Sequence, residues 1–208
     1  TAVAVKHLAR REATSFGILG CGVQARTNLE AIATVLPSLK YVRAYDIHFE
    51  RAARYCADMM RAHPSLKCIV VPTARAAVEG TDIVVTAGPI RAEPTPAIEP
   101  GWFAEGALGV PLDYDSYWKP EAVAAADRFY TDDTPQLLHT RGHGVYFQRI
   151  PQVYADLGEV AAGLKDARRD DRERLLCMNL GIALEDMATA PLVLARAIEL
   201  GLGTRLPR

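Results

Sequence analysis

Residues 15–36 read SFGILGCGVQARTNLEAIATVL. The apolar run over residues 16–19 has the length and composition of a buried strand. A glycine-containing turn follows, and from Val23 onward the apolar residues recur at helical spacing. The stretch therefore predicts a strand, a tight turn and a helix in succession.

The turn has the spacing of a dinucleotide-binding loop. Gly20 permits a tight bend, Gly22 lets a diphosphate approach the backbone, and the small Ala25 lets the helix pack closely on the strand. The start of the helix offers free N–H groups and the positive end of its dipole to the phosphates. The residues expected to bind the cofactor at this turn are Gly20, Cys21, Gly22, Val23, Gln24 and Ala25.

An acidic residue stands where such a loop places its ribose ligand. Residues 41–45 predict a second strand, which ends at Asp46, about 20 residues after the turn. A carboxylate there binds the ribose hydroxyls and repels a 2′-phosphate, which favours NAD, and Ile47 is expected beside it. Arg51, one helical turn further on, keeps NADP possible. The alternative interpretation of Asp46 is a solvated residue at the end of a strand.

Composition excludes several other classes of protein. The chain has 208 residues, half of them hydrophobic, and a formal net charge of −1, so it has no basic excess for nucleic acid. No apolar run approaches the ~20 residues of a membrane helix, and no signal peptide is visible. The four cysteines show no paired spacing, which indicates isolated thiols in a reducing compartment. We therefore expect a cytoplasmic protein without nucleic-acid or membrane partners.

Strand and helix patterns alternate along the chain. Apolar runs such as those in residues 68–71 and 82–86 suit strands covered on both faces, so we predict an α/β fold with a Rossmann-type doubly wound parallel sheet. Residues 132–152 are expected to be irregular, the charged residues 165–174 to form a solvated face, and residues 175–200 to form the longest helix.

Two aspartates follow the strand predicted over residues 107–110. A carboxyl group at the carboxyl end of such a strand can move protons during hydride transfer, so Asp113 and Asp115 are the candidate catalytic residues. The alternative is a turn, since Asp and Ser favour turns. His139 and His143 lack further ligands at a metal-binding spacing, so no metal site is expected.

Several segments resemble the ornithine cyclodeaminase/mu-crystallin family of NAD(P)-dependent enzymes. FGILGCGVQART is close to the family's nucleotide loop, TDIVVTAGP resembles its following strand, and DLGEVAAGL is similar to a further segment. The most specific match is GIALEDMATAPLVLARAIELGLG, which carries the C-terminal signature. The resemblance covers nearly the whole chain.

The resemblance implies a division into two domains and a homodimer. Residues 1–174 would form the nucleotide domain, and residues 175–208 a C-terminal helix that returns to a substrate and dimerisation domain. In the family that second domain is built mainly from chain preceding the position of Thr1, so it is expected to be largely absent here.

The resemblance also implies roles for particular residues. The family acid lies in a Gly-x-Asp setting after the fifth strand, where Asp113 is the best match and Asp115 the second. Thr86 and Ala87 would line the nicotinamide side, and Asn179, Leu180 and Gly181 would close over the nicotinamide.

The family implies hydride transfer at a C–N bond of an amino acid or cyclic imine. A cyclodeaminase returns the hydride and consumes no NAD, whereas a ketimine reductase or amino-acid dehydrogenase makes one net transfer. A non-catalytic NAD(P)H-binding protein, as mu-crystallin illustrates, remains the alternative from another functional class.

Overall fold

The computed structural model describes residues 1–204 and 206, and within them the chain forms eight α-helices and eight β-strands. The strands are β1 (Ser15–Leu19), β2 (Tyr41–Tyr45), β3 (Lys67–Val70), β4 (Ile83–Thr86), β5 (Leu108–Pro111), β6 (Arg128–Thr131), β7 (Val153–Asp156) and β8 (Leu175–Met178). The helices are α1 (Ala2–Leu8), α2 (Val23–Val35), α3 (Phe49–Ala62), α4 (Ala74–Val78), α5 (Pro120–Ala124), α6 (Thr134–Gly142), α7 (Leu157–Ala161) and α8 (Ala183–Glu199).

All eight strands belong to one parallel sheet in the order β3-β2-β1-β4-β5-β8-β6-β7. The order reverses between β1 and β4, which is where a doubly wound sheet opens a crevice at the carboxyl ends of its strands. This arrangement confirms the predicted Rossmann-type fold.

The core has two layers, one on each face of the sheet. Alternate residues of β4 enter different layers, since Ile83 and Val85 join the first while Val84 joins the second. The first layer takes its helical residues from α1, α2, α3 and α7, and the second from α4, α5 and α6. Helices therefore cover both faces, as continuous apolar strands require.

The central strand–turn–helix unit forms as predicted. β1 leads into α2, and Leu29 and Ile32 of that helix are fully buried. In α3 the buried positions are Ala52, Tyr55, Cys56 and Met59, whereas Ala53 is only half-buried and Met60 is exposed.

The prediction of one helix over residues 175–200 is wrong in its first part. Residues 175–178 form β8, which lies in the sheet between β5 and β6 and is buried throughout. A short, continuous apolar run fits a buried strand and a buried helix equally well, so periodicity alone did not separate them. Residues 175–178 thus lie in the same sheet as the strands of residues 1–174. The boundary expected at residue 174 would have separated them from that sheet.

The irregular segment expected over residues 132–152 contains a helix. Asp133 accepts a hydrogen bond from the N–H of Gln136 and caps α6, and Pro135 stands in its first turn. An N-cap aspartate followed by proline is a start signal, but the short and weakly apolar segment obscured it.

Residues 165–174 are not simply a solvated face. The Glu173 carboxylate is buried and pairs with the buried Arg128 guanidinium at 3.2 Å. Arg168 donates to four backbone carbonyls, among them those of Leu8 and Gly106. β3 is more exposed than predicted. It was expected to be covered on both faces, but it is an edge strand with Ile69 exposed.

Among the described residues, no helix combines the length and apolar character needed to cross a bilayer.

Candidate functional site

The glycine turn after β1 joins three strand ends. Gly20 has φ of +91°, and a Cβ there would stand 2.8 Å from the carbonyl oxygen of Ala87, which follows β4. The N–H of Gly20 donates to the carbonyl of Tyr45 at the end of β2. Glycine is thus required at position 20 by both conformation and space.

The start of α2 is open. Gly22 is its N-cap, no side chain caps the helix, and a Cβ at Gly22 would meet no atom within 4 Å. The next residue, Val23, is exposed, while Ala25 is fully buried and brings the helix close to the sheet. An uncapped helix N-terminus facing open space can bind a phosphate group.

Asp46 is fixed at the edge of this turn. One carboxylate oxygen accepts the N–H of Cys21 at 2.9 Å, and the other accepts the N–H of His48 at 2.9 Å. The Cys21 amide is therefore engaged with Asp46, and the buried Cys21 thiol has its pKa raised to about 12, chiefly by desolvation. The carboxylate retains lone pairs for the hydroxyls of a sugar.

Two cavities meet the turn. One of about 260 Å³ contacts Gly20 at the start of the turn and is lined also by Asp46, Ile47, Arg51, Gly88 and Tyr117. The other, of about 230 Å³, contacts Gln24 at its end and is lined also by Asn28, Leu112, Asn179 and Gly181. A larger groove of about 840 Å³ lies between the end of α1 and residues 167–171, and it contains none of the predicted site residues.

Asp113 lies just past β5 and links it to β4. Its Oδ1 accepts the hydroxyl of Thr86 at 2.7 Å, and its Oδ2 accepts the N–H of Gly88 at 2.9 Å. The side chain is fully buried, and desolvation raises its pKa to about 7 although both hydrogen bonds lower it. The Asp113 carboxyl group can therefore hold or release a proton near neutral pH.

Asp115 has a different environment. Its Oδ2 accepts the N–H of Phe147 at 2.9 Å, whereas its Oδ1 is buried with no hydrogen-bond partner in the structure. Desolvation raises the pKa of this carboxyl too. Tyr114 and Phe147 both have positive φ, and their rings pack 5.0 Å apart beside it.

Asp132, at the end of β6, is a residue that the sequence analysis missed. Its Oδ2 accepts the N–H groups of Leu180 and Gly181, at 2.7 and 2.6 Å, and so fixes the turn after β8. The N–H of Asn179 donates to the carbonyl of Pro111, which ties the same turn to β5. An acid at the end of a strand was the available signal, but the expectation of irregular chain from residue 132 concealed it.

The structure gathers all fourteen predicted catalytic and cofactor-binding residues at the carboxyl edge of the sheet. They are Gly20, Cys21, Gly22, Val23, Gln24, Ala25, Asp46, Ile47, Thr86, Ala87, Asp113, Asp115, Asn179 and Gly181. The side chain of Thr86 is fully buried, where its hydroxyl donates to Asp113 and accepts from the indole N–H of Trp118. Gly88 and Tyr117 were missed, and a Cβ at Gly88 would stand 2.4 Å from the Tyr117 hydroxyl. Within residues 1–204 and 206, no cluster of three or more His, Cys, Asp or Glu side chains could hold a metal ion.

Comparison with known proteins gives consistent matches over nearly the whole chain. The family model described as "Ornithine cyclodeaminase/mu-crystallin family" matches residues 1–200. Alanine dehydrogenase of Archaeoglobus fulgidus is 31% identical over 98% of this chain and 63% of its own length.

Two solved structures show the same fold. Thermococcus litoralis Δ1-pyrroline-2-carboxylate reductase, in complex with NADH and L-proline, superimposes with a TM-score of 0.82 at 30% identity, over 99% of this chain and 64% of its own. An archaeal alanine dehydrogenase dimer with bound NAD gives 0.81 at 27% identity, with the same coverage. The chain thus spans less than two thirds of the length of these relatives.

Proposed function

This chain belongs to the ornithine cyclodeaminase/mu-crystallin family, and we propose that it is the dinucleotide-binding part of an oxidoreductase acting at a C–N bond. The substrate would be an amino acid or a cyclic imine. One relative is named for an amino acid, as an alanine dehydrogenase, and another for a cyclic imine, as a pyrroline-2-carboxylate reductase. The observation that carries the proposal is the open, uncapped start of α2 beside a fixed Asp46.

We propose NAD as the cofactor, and the residues present fit it. The space beyond Gly22 suits the diphosphate, and Asp46 would accept the hydroxyls of the adenosine ribose. Two relatives were solved with NADH or NAD bound. When bound, the nicotinamide would supply or accept hydride. The turn over residues 179–181, held by Asp132, would cover that end of the site.

We propose that Asp113 handles the proton that accompanies hydride transfer, with Asp115 as the second candidate. With a pKa of about 7, Asp113 can donate a proton to the substrate nitrogen when an imine is reduced. It can take a proton from that nitrogen when an amine is oxidised. The Asp113 side chain is fully buried, so a substrate nitrogen would reach its oxygens only after the residues that cover it move.

We propose that α8 contributes to a second domain and to a homodimer. None of its residues is buried, and its exposed apolar side chains include Leu192, Val193 and Ile198. Because β8 lies within the sheet, the boundary of the nucleotide domain would fall after residue 178 rather than at 174.

Turnover assays test the proposed activity. Net NADH formation with a panel of amino acids, or NADH oxidation with cyclic imines, would support a dehydrogenase or imine reductase. Ammonia release without net NADH formation would support a cyclodeaminase. If all three assays give no signal with a full-length protein that binds NADH, the enzymatic proposal fails.

A non-catalytic dinucleotide-binding protein is the second candidate. The observation that favours it is the complete burial of Asp113, with both oxygens bonded inside the protein. Such a protein would bind NADH in calorimetry, and an Asp113→Asn variant would show the same absence of turnover as the wild type.

A further inference from the structure

Two of the four cysteines lie side by side. Cys56 in α3 and Cys68 in β3 are both buried, and the Cys68 thiol donates a hydrogen bond to the Cys56 sulfur at 2.6 Å. The sequence indicated isolated thiols because eleven residues separate the two positions, without a short Cys spacing. The packing of α3 against β3 brings them together.

Both sulfurs are held by ordered neighbours. Cys68 pairs in register with Val42 of β2, so the sheet fixes its position. Cys56 lies between the buried Tyr55 and Met59 on the core face of α3. The Tyr55 hydroxyl is 3.5 Å from the carbonyl of Ala25, which anchors α3 against α2. The pair is therefore a feature of the folded core and not of a loop.

We propose that Cys56 and Cys68 form a reversible disulfide when the protein meets a peroxide. Their sulfurs are already close to the bonding distance of about 2.05 Å. In a reducing compartment such a disulfide would be transient and redox-sensing rather than permanent.

The chemistry is balanced with hydrogen peroxide as oxidant. The hydrogen bond that the Cys68 thiol donates to the Cys56 sulfur lowers the pKa of the Cys56 thiol, so we assign the attack to Cys56, which loses its proton before its sulfur attacks. Its sulfur bonds to one peroxide oxygen, the O–O bond breaks, and protonation gives a sulfenic acid and water. The Cys68 sulfur then attacks the Cys56 sulfur, the S–O bond breaks, and a second water leaves. Two thiols and one peroxide become one disulfide and two waters.

The other two cysteines provide an internal comparison. Cys177 in β8 is fully buried, and its thiol donates to the side-chain oxygen of Asn179. The Cys21 thiol donates to the carbonyl of Tyr45 at 3.5 Å. Since neither forms a hydrogen bond to another sulfur, both are expected to stay reduced under conditions that oxidise Cys56 and Cys68.

Thiol titration in denaturant, before and after brief peroxide treatment, tests the proposal. We expect the wild type to lose two of its four free thiols, and peptide mapping by mass spectrometry to find residues 56 and 68 in one cross-linked pair. Dithiothreitol should restore all four. A Cys177→Ser variant should still lose two thiols, whereas a Cys56→Ser variant should form no intramolecular disulfide.

A second measurement does not depend on any variant. A cross-link between α3 and β3 closes a short loop, and should raise the melting temperature of the oxidised wild type by roughly 5 to 10 °C. The proposal is overturned if peroxide leaves four thiols, if mapping joins a different pair, or if the oxidised protein melts no higher than the reduced one.

Discussion

Among single residues, the fully buried Asp113 should make a distinct contribution to how the free energy of unfolding depends on pH. Its pKa is raised from 3.8 to about 7, chiefly by desolvation. Between these values the folded protein holds a proton that the unfolded chain has released, so the unfolding free energy falls as pH rises. Each tenfold difference in proton affinity between the folded and unfolded chain corresponds to about 1.4 kcal/mol, which makes the loss a few kcal/mol.

An Asp113→Asn variant isolates this contribution because asparagine does not titrate. Its amide can donate to Thr86 and accept from Gly88, so the variant should fold. Urea unfolding at about pH 5 and about pH 8 should show the wild type losing stability relative to the variant as the pH rises. A difference that stays constant would mean that the carboxyl is already ionised at the lower pH.

Asp46 should set the preference between the two dinucleotides. Its carboxylate, fixed by the N–H groups of Cys21 and His48, would repel a 2′-phosphate. We expect calorimetry to show NADH binding at least about tenfold more tightly than NADPH, a difference of about 1.4 kcal/mol. An Asp46→Ser variant should narrow that ratio, with Arg51 then free to meet the phosphate. Equal affinities in the wild type would remove Asp46 from this role.

The positions of single residues could be predicted from the sequence where a rigid motif constrains them. Gly20 and Asp46 followed from the spacing of the turn and the second strand, and both lie where expected. Gly88 and Asp132 did not, because their roles depend on contacts with Asp113 and with residues 180–181 that are distant in the chain. No local pattern encodes such pairs.

At the scale of elements, the segment before β8 is attached to the sheet through a buried carboxylate. Glu173 is 4% exposed and pairs with Arg128 of β6, whereas Glu105 is 54% exposed where it pairs with Arg172. Removing one member of a buried pair leaves an uncompensated charge and costs about 3 to 5 kcal/mol, while exposed pairs contribute under about 1 kcal/mol.

We therefore expect Glu173→Gln to lower the unfolding free energy by about 3 kcal/mol, and the matched Glu105→Gln control to change it by less than about 0.5 kcal/mol. Urea denaturation of both variants at neutral pH provides the comparison. Similar losses in the two variants would show that Arg128 does not need its partner.

Helices and strands could be predicted where the sequence pattern fits only one type of secondary structure. Thr73 is an N-cap residue type that stands directly before α4, and its hydroxyl accepts the N–H of Ala76. The apolar run over residues 175–178 was ambiguous, and only its place between β5 and β6 makes it a strand. That place depends on strands about 70 and 45 residues away in sequence, which local reasoning does not see.

At the scale of the whole molecule, α8 is the element that the rest of the described chain does not cover. Its apolar residues point to burial against a further protein surface, and we expect this chain to self-associate into dimers through them. Sedimentation velocity over a range of concentrations should show a dimer, and Leu192→Glu should shift it to monomer. The control is Leu164→Glu, because Leu164 is equally exposed outside α8. A wild type that stays monomeric would contradict the expectation.

The architecture of the sheet was predictable as a class but not in its strand order. Alternating strands and helices indicated a parallel, doubly wound sheet, which the structure confirms. The insertion of β8 between β5 and β6 is a long-range pairing, and it brings residues 179–181 to the same edge as the glycine turn. Without it, the second cavity of the site would lack one wall.

A Gly22→Val substitution tests whether a dinucleotide diphosphate binds at the start of α2, as we propose. The backbone of Gly22 is extended at φ −85° and ψ −157°, and a side chain there meets no protein atom within 4 Å, so the variant should fold as the wild type does. Gly142→Ala at the end of α6, also in open space, is the matched control.

Calorimetric titration with NADH should show binding to the wild type and to Gly142→Ala with equal affinity. Gly22→Val should bind roughly 100-fold more weakly, because its side chain would occupy the space of the phosphates and remove their hydrogen bonds to the turn. If Gly22→Val binds NADH as tightly as the wild type, or if the folded wild type binds none, the proposed site is wrong.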